Sequence, residues 1–219
     1  MSHFTVAVFK DVNSASLEEL LEPFCEELSV PHYITKSEII AKQRAEFEKY
    51  RDTVYADYLA NPEKYRGNGT NEAYVRYISE DFPLKFGWKD QDFYLEGIRY
   101  EDTENIQPDG SVYSEYNPNS KWDWYEVGGR WKNLLRLKNG DKADCAYVRE
   151  IDFDAMGDEF RTYAVLTPDG VWHAPGEMGW FGISSETNNE YESWKKNFKK
   201  TFIDTADQNW LMYIVDCHI

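Results

Sequence analysis

The chain has 219 residues, of which 42% are hydrophobic and 16% aromatic, so it can bury a substantial core as a single domain. Its 8 Trp, 16 Tyr and 12 Phe exclude an intrinsically disordered chain, because such chains are poor in aromatic residues. With 24 Lys and Arg against 40 Asp and Glu, the net charge of −16 opposes direct binding to duplex nucleic acid or an anionic membrane and favours basic partners.

The cysteines and the N-terminal segment indicate where the protein works. Cys25, Cys145 and Cys217 are far apart and show no paired spacing, which indicates reduced thiols and neither a zinc site nor a disulfide framework. The first residues lack the basic region and the long apolar segment of a secretion signal, and no apolar run is long enough to span a membrane. We therefore expect a cytoplasmic protein without a membrane partner.

Strand patterns occur near both ends of the chain. Residues 4–9 and 210–215 are short apolar runs of the kind found in strands that are covered on both faces, and we expect them in one sheet. After the first run, Ser14-Ala15-Ser16 can cap a brief helix over 17–21 that Pro23 limits. A short strand at about 28–34 follows.

The next part of the chain is helical. A long helix is expected from Ser37 to Asn61-Pro62, because apolar residues recur there at steps of three and four residues: Ile40, Phe47, Tyr50, Val54 and Tyr58. Residues 72–81 and 90–100 have the pattern of two further helices. The sequence therefore predicts a helical segment at about 37–100.

The second half of the chain alternates aromatic runs with turn sequences. The turns at 139–140 and 167–170 predict two hairpins, 131–137 with 143–148 and 161–166 with 171–174. Thr187 and Glu190 form a capping box for a helix that precedes the last strand. The whole pattern predicts one α+β domain over 1–219, with an antiparallel or mixed sheet, a helical insertion, a β-rich segment at about 111–182 and a C-terminal helix and strand over 188–219.

Residues 117–131 have the most unusual composition in the chain, with three tryptophans, several polar side chains and a Gly-Gly pair. Alternation along a strand would place Trp122 and Trp124 on one face and Asp123 and Tyr125 on the other, so the two indoles would form a platform for a base or a sugar. The predicted ligand-binding residues are Asn117, Asn119, Lys121, Trp122, Asp123, Trp124, Arg130 and Trp180. The alternative is that the tryptophans are core residues and Arg130 pairs with a surface acid.

Two smaller groups of residues have two interpretations each. Gly128-Gly129-Arg130 either surrounds an anion with N–H groups or forms a tight turn or β-bulge. His173 and Glu177 are either a base and its orienting acid or ordinary loop residues.

Near the chain ends, antiparallel pairing of the two terminal strands would bring His3 beside Asp216 and His218. Such a group could bind a metal or transfer protons, or the histidines could be exposed and without a role. The residues identify no particular cofactor, no metal site and no assigned catalytic residue.

Taken together, residues 2–6, the central motif at 117–131, residues 176–180 and the closing Val215-Asp216-Cys217-His218-Ile219 resemble a family of small bacteriophage and prophage proteins. The resemblance extends from one end of the chain to the other. It implies a phage accessory protein that acts in the bacterial cytoplasm, where many small acidic phage proteins counter host defences.

The leading functional expectation is a phage accessory protein that acts by binding, as an antagonist of a bacterial defence system, through a Trp-rich cleft that holds a nucleotide-like small molecule or contacts a host protein. The alternative is a hydrolase or transferase acting on a nucleotide or nucleic acid, with or without a metal, through Asp123, His173 or the group of His3, Asp216 and His218. A third possibility is a structural or regulatory phage protein whose Trp-rich run only fills the core. The sequence leaves open whether the chain is an enzyme, and it does not indicate an oligomeric state.

Overall fold

The computed structural model describes residues 2–13, 15–66, 71–157, 159–179 and 183–219. The strands within these ranges are β1 (His3–Lys10), β2 (His32–Ile34), β3 (Val112–Ser114), β4 (Trp124–Val127), β5 (Leu135–Arg136), β6 (Lys142–Ala143), β7 (Cys145–Tyr147), β8 (Ala164–Leu166), β9 (Trp172–His173) and β10 (Leu211–His218). The α-helices are α1 (Leu17–Leu21), α2 (Lys36–Tyr50), α3 (Ala56–Ala60), α4 (Glu72–Arg76), α5 (Phe82–Leu84), α6 (Asp90–Gly97), α7 (Phe153–Met156) and α8 (Asn188–Phe198).

The chain folds into two compact units. Unit 1 contains Met1–Val30 and Tyr116–Ile219, and unit 2 contains Pro31–Glu115. Unit 2 is thus inserted between two parts of unit 1 that are distant in sequence.

A mixed sheet forms the centre of unit 1, with the strand order β4-β10-β1-β8-β9. β1 pairs antiparallel with β10 along its whole length and parallel with β8. One edge of β10 is shared by two partners, because β7 pairs with residues 211–213 and β4 pairs with residues 215–218. The segments near both ends of the chain are therefore central strands of the sheet.

The two faces of this sheet have separate apolar cores, because strand side chains point alternately to opposite faces. One face carries Phe4, Val6 and Val8 of β1 and is covered by the leucines of α1; we call it the α1 face. The other face carries Ala7 and Phe9 of β1 and is covered by α8 and the π-helical turn Lys199–Ile203 that continues it; we call it the α8 face. The sheet is consequently buried on both sides, as the apolar runs predict.

Local capping explains where the two covering helices begin. Ser16 accepts a hydrogen bond from the Glu19 N–H while the Glu19 carboxylate accepts from the Ser16 N–H, so α1 has a complete capping box. Thr187 and Glu190 make the same reciprocal pair at the start of α8. Both caps match the sequence prediction.

Unit 2 is a helical unit with an aromatic core. The long predicted helix is α2, which continues through the π-helical segment Arg51–Tyr55 into α3, and α4 continues through a second π-helical segment, Tyr77–Asp81, into α5. Phe82 and Phe93 are buried and contact other aromatic rings of the unit. β2 pairs with β3, so the first and last segments of the unit are joined, although β2 is shorter than the strand predicted at about 28–34.

The predicted fold class is confirmed: the chain is α+β, its mixed sheet contains the strands from both ends, and the helical insertion expected at about 37–100 lies in unit 2. None of the helices in the described ranges combines the length and apolar character needed to cross a membrane.

The first predicted hairpin is wrong in its second half. Only β5 and β6 pair with each other, whereas β7 leaves the hairpin and pairs with β10. Asp144, between β6 and β7, marks the change of partner, because its carbonyl accepts a hydrogen bond from the Ile214 N–H and its carboxylate accepts one from the Asn133 N–H. The second predicted hairpin is confirmed as β8 and β9.

The α8 face supplies a stability prediction. Phe198 is 1% exposed in the core of that face, so Phe198→Ala should lower the free energy of unfolding by about 3–5 kcal/mol through lost apolar burial and an unfilled cavity. Urea denaturation followed by circular dichroism measures the change. Glu192→Ala, on the exposed side of the same helix, should change stability by less than about 0.5 kcal/mol, and equal losses in both variants would contradict the packing described above.

Candidate functional site

Polar side chains replace apolar ones at one end of the α8 face. In the β1–β10 register, His3 lies opposite His218 and Thr5 lies opposite Asp216, on the same face as the apolar Ala7 and Ile214. Asp216 and His218 are each only 2% exposed. A buried charged or polar side chain is costly unless it is hydrogen-bonded, so this end of the face depends on its polar contacts.

Two histidine–aspartate pairs provide these contacts. The Nδ1 atom of His3 lies 2.9 Å from Oδ1 of Asp216, and the Nδ1 atom of His218 lies 2.7 Å from Oδ1 of Asp123. An ionised carboxylate only accepts hydrogen bonds, so both histidines carry a hydrogen on Nδ1. The Nε2 atom of each ring is therefore the atom that can accept or release a proton.

The two imidazoles and one indole are in contact. The ring centroids of His3 and His218 are 4.9 Å apart in an edge-to-face arrangement. Trp124 stacks on His218 at 5.1 Å with an angle of 20° between the planes, and it lies roughly perpendicular to the ring of His3 at 5.6 Å. Trp124 is 43% exposed, so it is the part of this cluster that solvent reaches most easily.

One buried atom of the cluster lacks a hydrogen-bond partner among the described residues. The Nε2 atom of His218 is buried and makes no hydrogen bond to any of the residues that the structure describes. Buried polar atoms in native proteins are nearly always paired with protein, water or ligand. The unpaired nitrogen beside a second imidazole is therefore a candidate position for a water molecule or a ligand.

The Gly128-Gly129 turn holds the carboxylate of Asp216 from the side opposite His3. Gly128 and Gly129 have positive φ values of 78° and 46°, and the N–H of Arg130 donates to Oδ2 of Asp216 at 2.9 Å. A Cβ at Gly129 would overlap Asp216, so only glycine permits this approach. The glycine step is thus a tight turn, and the anion that it contacts is the chain's own carboxylate.

The side chain of Arg130 does not match the alternative drawn from the sequence, in which it pairs with a surface acid. Its backbone N–H is used by Asp216, but its guanidinium is exposed and makes no hydrogen bond or ion pair with the described residues. It does not form the routine surface ion pair that was the alternative interpretation. A guanidinium in this state is available to a phosphate or carboxylate ligand.

The predicted two-tryptophan platform is wrong. Trp122 is buried on the α1 face, where its ring meets Tyr125 edge to face at 5.1 Å, while Trp124 lies on the α8 face over His218. Strand alternation does not extend back to Trp122, because β4 begins only at Trp124 and Trp122 makes an isolated bridge to Cys25. The two indoles consequently cannot line one cavity.

The remaining predicted ligand-binding residues lie elsewhere in unit 1. Asn117 is buried and its amide is fully used, donating to the carbonyls of Pro23 and Cys25 and accepting from the Asn119 N–H, so it ties two loops together. Asn119 and Lys121 line a pocket of about 640 Å³. Its other lining residues are Pro23, Phe24, Gly170, Trp172, Ala174, Gly176 and Glu177. Trp180, the eighth predicted residue, lies outside the described residues.

The interpretation of His173 and Glu177 as a base and its orienting acid is wrong. His173 contacts Thr167 through Nε2 and packs against Phe202, whereas Glu177 pairs with Lys121 at 3.2 Å. Their separate partners leave no direct hydrogen bond between the two side chains. Cys217 is also excluded as a reactive group, because it is buried on the α1 face and burial raises the pKa of its thiol well above the ordinary value.

The conditional grouping of His3, Asp216 and His218 is confirmed by the β1–β10 register. What sequence reasoning missed is that the central motif joins this group, with Asp123 bound to His218, Trp124 stacked on it and Arg130 bound to Asp216 through its N–H. The signal was the mixture of Asp, Trp and Gly-Gly in 117–131, but the pairing of β4 with β10 could not be read from it.

The function of the site is interpreted from the geometry described above. No protein family, curated protein or solved structure matches the chain. Within the described ranges, no group of three or more His, Cys, Asp or Glu side chains is arranged to hold a metal ion. The chemistry of the site is therefore inferred from two imidazoles, two carboxylates and their neighbours.

The close approach at Gly129 generates a prediction. Gly129→Ala should be destabilising, because the new Cβ would both strain a positive φ and displace Asp216 from His3. Gly140→Ala is the matched control, since Gly140 also has a positive φ but has open space around its missing Cβ. We expect Gly129→Ala to cost about 1–3 kcal/mol more than Gly140→Ala in thermal unfolding, as in overpacked sites.

The same variants report on the site itself. The ring-proton NMR signals of His3 should shift in Gly129→Ala and stay unchanged in Gly140→Ala, because only the first substitution moves the Asp216 carboxylate. Identical stability losses together with unmoved His3 signals would show that the Gly129 turn does not position Asp216.

Proposed function

We propose that the chain is a hydrolase or transferase that acts on a nucleotide or a nucleic acid by acid–base chemistry at the His3–His218 pair. One observation supports it above all others. Two imidazoles 4.9 Å apart are each bound through Nδ1 to a carboxylate, and the Nε2 atom of one of them is buried without a partner among the described residues.

The arrangement supplies the parts of general acid–base catalysis. A neutral imidazole takes a proton at Nε2, and a protonated one delivers a proton from Nε2. The carboxylates of Asp216 and Asp123 hold each ring in the tautomer that leaves Nε2 available, and they stabilise the positive charge that develops on it. One histidine can thus act as base while the other acts as acid.

The neighbours of the pair suit a nucleotide. The indole of Trp124 is partly exposed and offers a flat surface on which a base can stack. Arg130 binds Asp216 through its backbone N–H, and its exposed guanidinium has no partner among the described residues. These features support a nucleotide substrate over a purely apolar one.

The biological setting is part of the same proposal and rests on the resemblance to bacteriophage and prophage proteins. Three of the stretches that carry the resemblance, 2–6, 117–131 and 215–219, contribute His3, Trp124 and His218 to one cluster. A phage accessory protein with this chemistry would antagonise a bacterial defence system in the host cytoplasm by removing a nucleotide that the system needs.

A second candidate is binding without turnover, at the pocket lined by Asn119 and Lys121. This pocket of about 640 Å³ contains the adjoining rings of Phe24 and Trp172, whose centroids are 5.1 Å apart, and its rim carries the Lys121–Glu177 ion pair. Aromatic rings together with a few polar groups are common in small-molecule sites. An antagonist that only sequesters a nucleotide-like ligand or contacts a host protein would use this pocket.

The catalytic proposal predicts the effect of single substitutions. In an assay with a panel of nucleotides and phosphodiesters, His218→Ala and His3→Ala should each lower kcat/KM by at least about 100-fold, because each removes one proton-transfer group. Asp123→Asn should give a smaller loss, since it leaves the His218 imidazole in place but weakens its orientation. Chromatographic separation of substrate and product measures the rates.

His173→Ala is the matched control, because this histidine lies in the same unit but its ring contacts Thr167 and Phe202 rather than the His3–His218 pair. It should retain full activity. Turnover that survives both His3→Ala and His218→Ala in folded protein would rule out the proposed centre.

The binding candidate predicts a different response. A nucleotide that occupies the pocket at 100 times its Kd should stabilise the fold by about 2.7 kcal/mol and raise Tm accordingly. Lys121→Ala should remove most of this rise, whereas His218→Ala should preserve it. Lys200→Ala, an exposed lysine in the same unit, is the control. A rise in Tm that is indifferent to Lys121→Ala places the ligand elsewhere.

A further inference from the structure

We infer that the substrate of the His3–His218 site is a short 3′,5′-linked ribonucleotide, and that its own 2′-hydroxyl is the nucleophile. This inference deepens the proposed function and depends on it. It concerns which bond is broken and which atom attacks the phosphorus, neither of which follows from acid–base chemistry alone.

The described residues place no side-chain nucleophile against the two imidazoles. Among the described residues, no Ser, Thr or Cys side chain is hydrogen-bonded to either imidazole: His3 bonds to Asp216, His218 bonds to Asp123, and the Nε2 atom of His218 has no partner. Cys217, the nearest thiol in sequence, points to the opposite face of the sheet. The attacking oxygen must therefore come from the substrate or from water.

Two imidazoles are suited to a reaction in which the substrate carries its own nucleophile. A nucleophile that belongs to the substrate reacts at an effective concentration far above that of a free molecule, so it needs only a base and an acid in suitable positions. The 2′-hydroxyl next to a 3′,5′-phosphodiester is such a nucleophile. A site with two proton-transfer groups at 4.9 Å between ring centroids meets this requirement.

The reaction is balanced without any co-reactant. Nε2 of one neutral imidazole takes the proton of the 2′-hydroxyl while the 2′-oxygen bonds to phosphorus. The bond between phosphorus and the 5′-oxygen breaks, and the 5′-oxygen takes a proton from Nε2 of the other, protonated imidazole. The products are a 2′,3′-cyclic phosphate and a 5′-hydroxyl, and neither is oxidised or reduced.

The charge of the chain and the few groups around the site favour a small substrate. A net charge of −16 repels a long polyanion, whereas a ligand with one or two phosphates loses little from this repulsion. One partly exposed indole, Trp124, offers a stacking surface for a single base, and Arg130 offers one guanidinium. The charge of the chain and these two groups therefore favour a dinucleotide or a small cyclic ribonucleotide over a long RNA strand.

The test compares a diribonucleotide with matched analogues. The full-length chain is incubated with adenylyl-(3′→5′)-uridine, with the analogue that has 2′-deoxyadenosine, and with the analogue that carries a 2′-O-methyl group on the adenosine. The ribonucleotide should be cleaved to adenosine 2′,3′-cyclic phosphate and uridine, identified by mass spectrometry, and both analogues should react at least about 100-fold more slowly. Cleavage should be lost in His3→Ala and His218→Ala and retained in His173→Ala.

The outcomes separate the inference from the proposed function. Equal cleavage of the deoxy and ribo substrates, or His218-dependent turnover of only a phosphodiester that lacks a 2′-hydroxyl, such as bis(p-nitrophenyl) phosphate, would overturn the inference and leave the proposed function standing. Lack of turnover on every substrate, or turnover unaffected by both histidine substitutions, would overturn the proposed function as well. If His218→Ala does not fold, His3→Asn and Asp123→Asn replace it, and product analysis of the unaltered protein still identifies the attacking oxygen.

Discussion

The pairing of β1 with β10 is the contact on which the rest of unit 1 depends. Eight residue pairs, from His3 opposite His218 to Lys10 opposite Leu211, join segments that lie 200 or so positions apart in the chain. Backbone hydrogen bonds fix the distance between the strands, and side-chain alternation then decides what each face presents. Both apolar cores and the polar cluster are consequences of this one register.

The same register determines both the packing of the apolar cores and the geometry of the polar cluster. If β1 slipped by one residue along β10, His3 would turn toward the α1 face, and Phe4 and Val6 would turn toward the α8 face. A slip of β10 would in the same way turn Asp216 and His218 toward the α1 face. The buried apolar residues of both strands oppose such a shift, because Val6 and Val8 of β1 and Met212 and Ile214 of β10 are 0% exposed. The polar end can therefore contain a carboxylate and an imidazole whose burial is unfavourable, because the adjoining apolar residues stabilise the sheet.

The central motif acts as a support for this cluster, and its two tryptophans have different tasks. Trp122 fills the core beneath α1, and Trp124 lies over the imidazole of His218. The Gly-Gly step brings the Arg130 N–H to the Asp216 carboxylate, a contact that a residue with a side chain at Gly129 would block. A segment that resembles a ligand-binding loop by composition thus completes a cluster whose two histidines come from other strands.

The sequence alone determined the elements whose signals are local. The capping boxes at Ser16 and Thr187, the apolar strands near both ends and the long helix from Ser37 follow from hydrogen bonds and periodicity within a few residues. Only the tertiary structure decided that β7 leaves its hairpin for β10, that Trp122 and Trp124 lie on opposite faces, and that Asp123 meets His218. The reason is physical: these contacts join strands far apart in the chain, and their free energy depends on which strands pair, which no short window of residues contains.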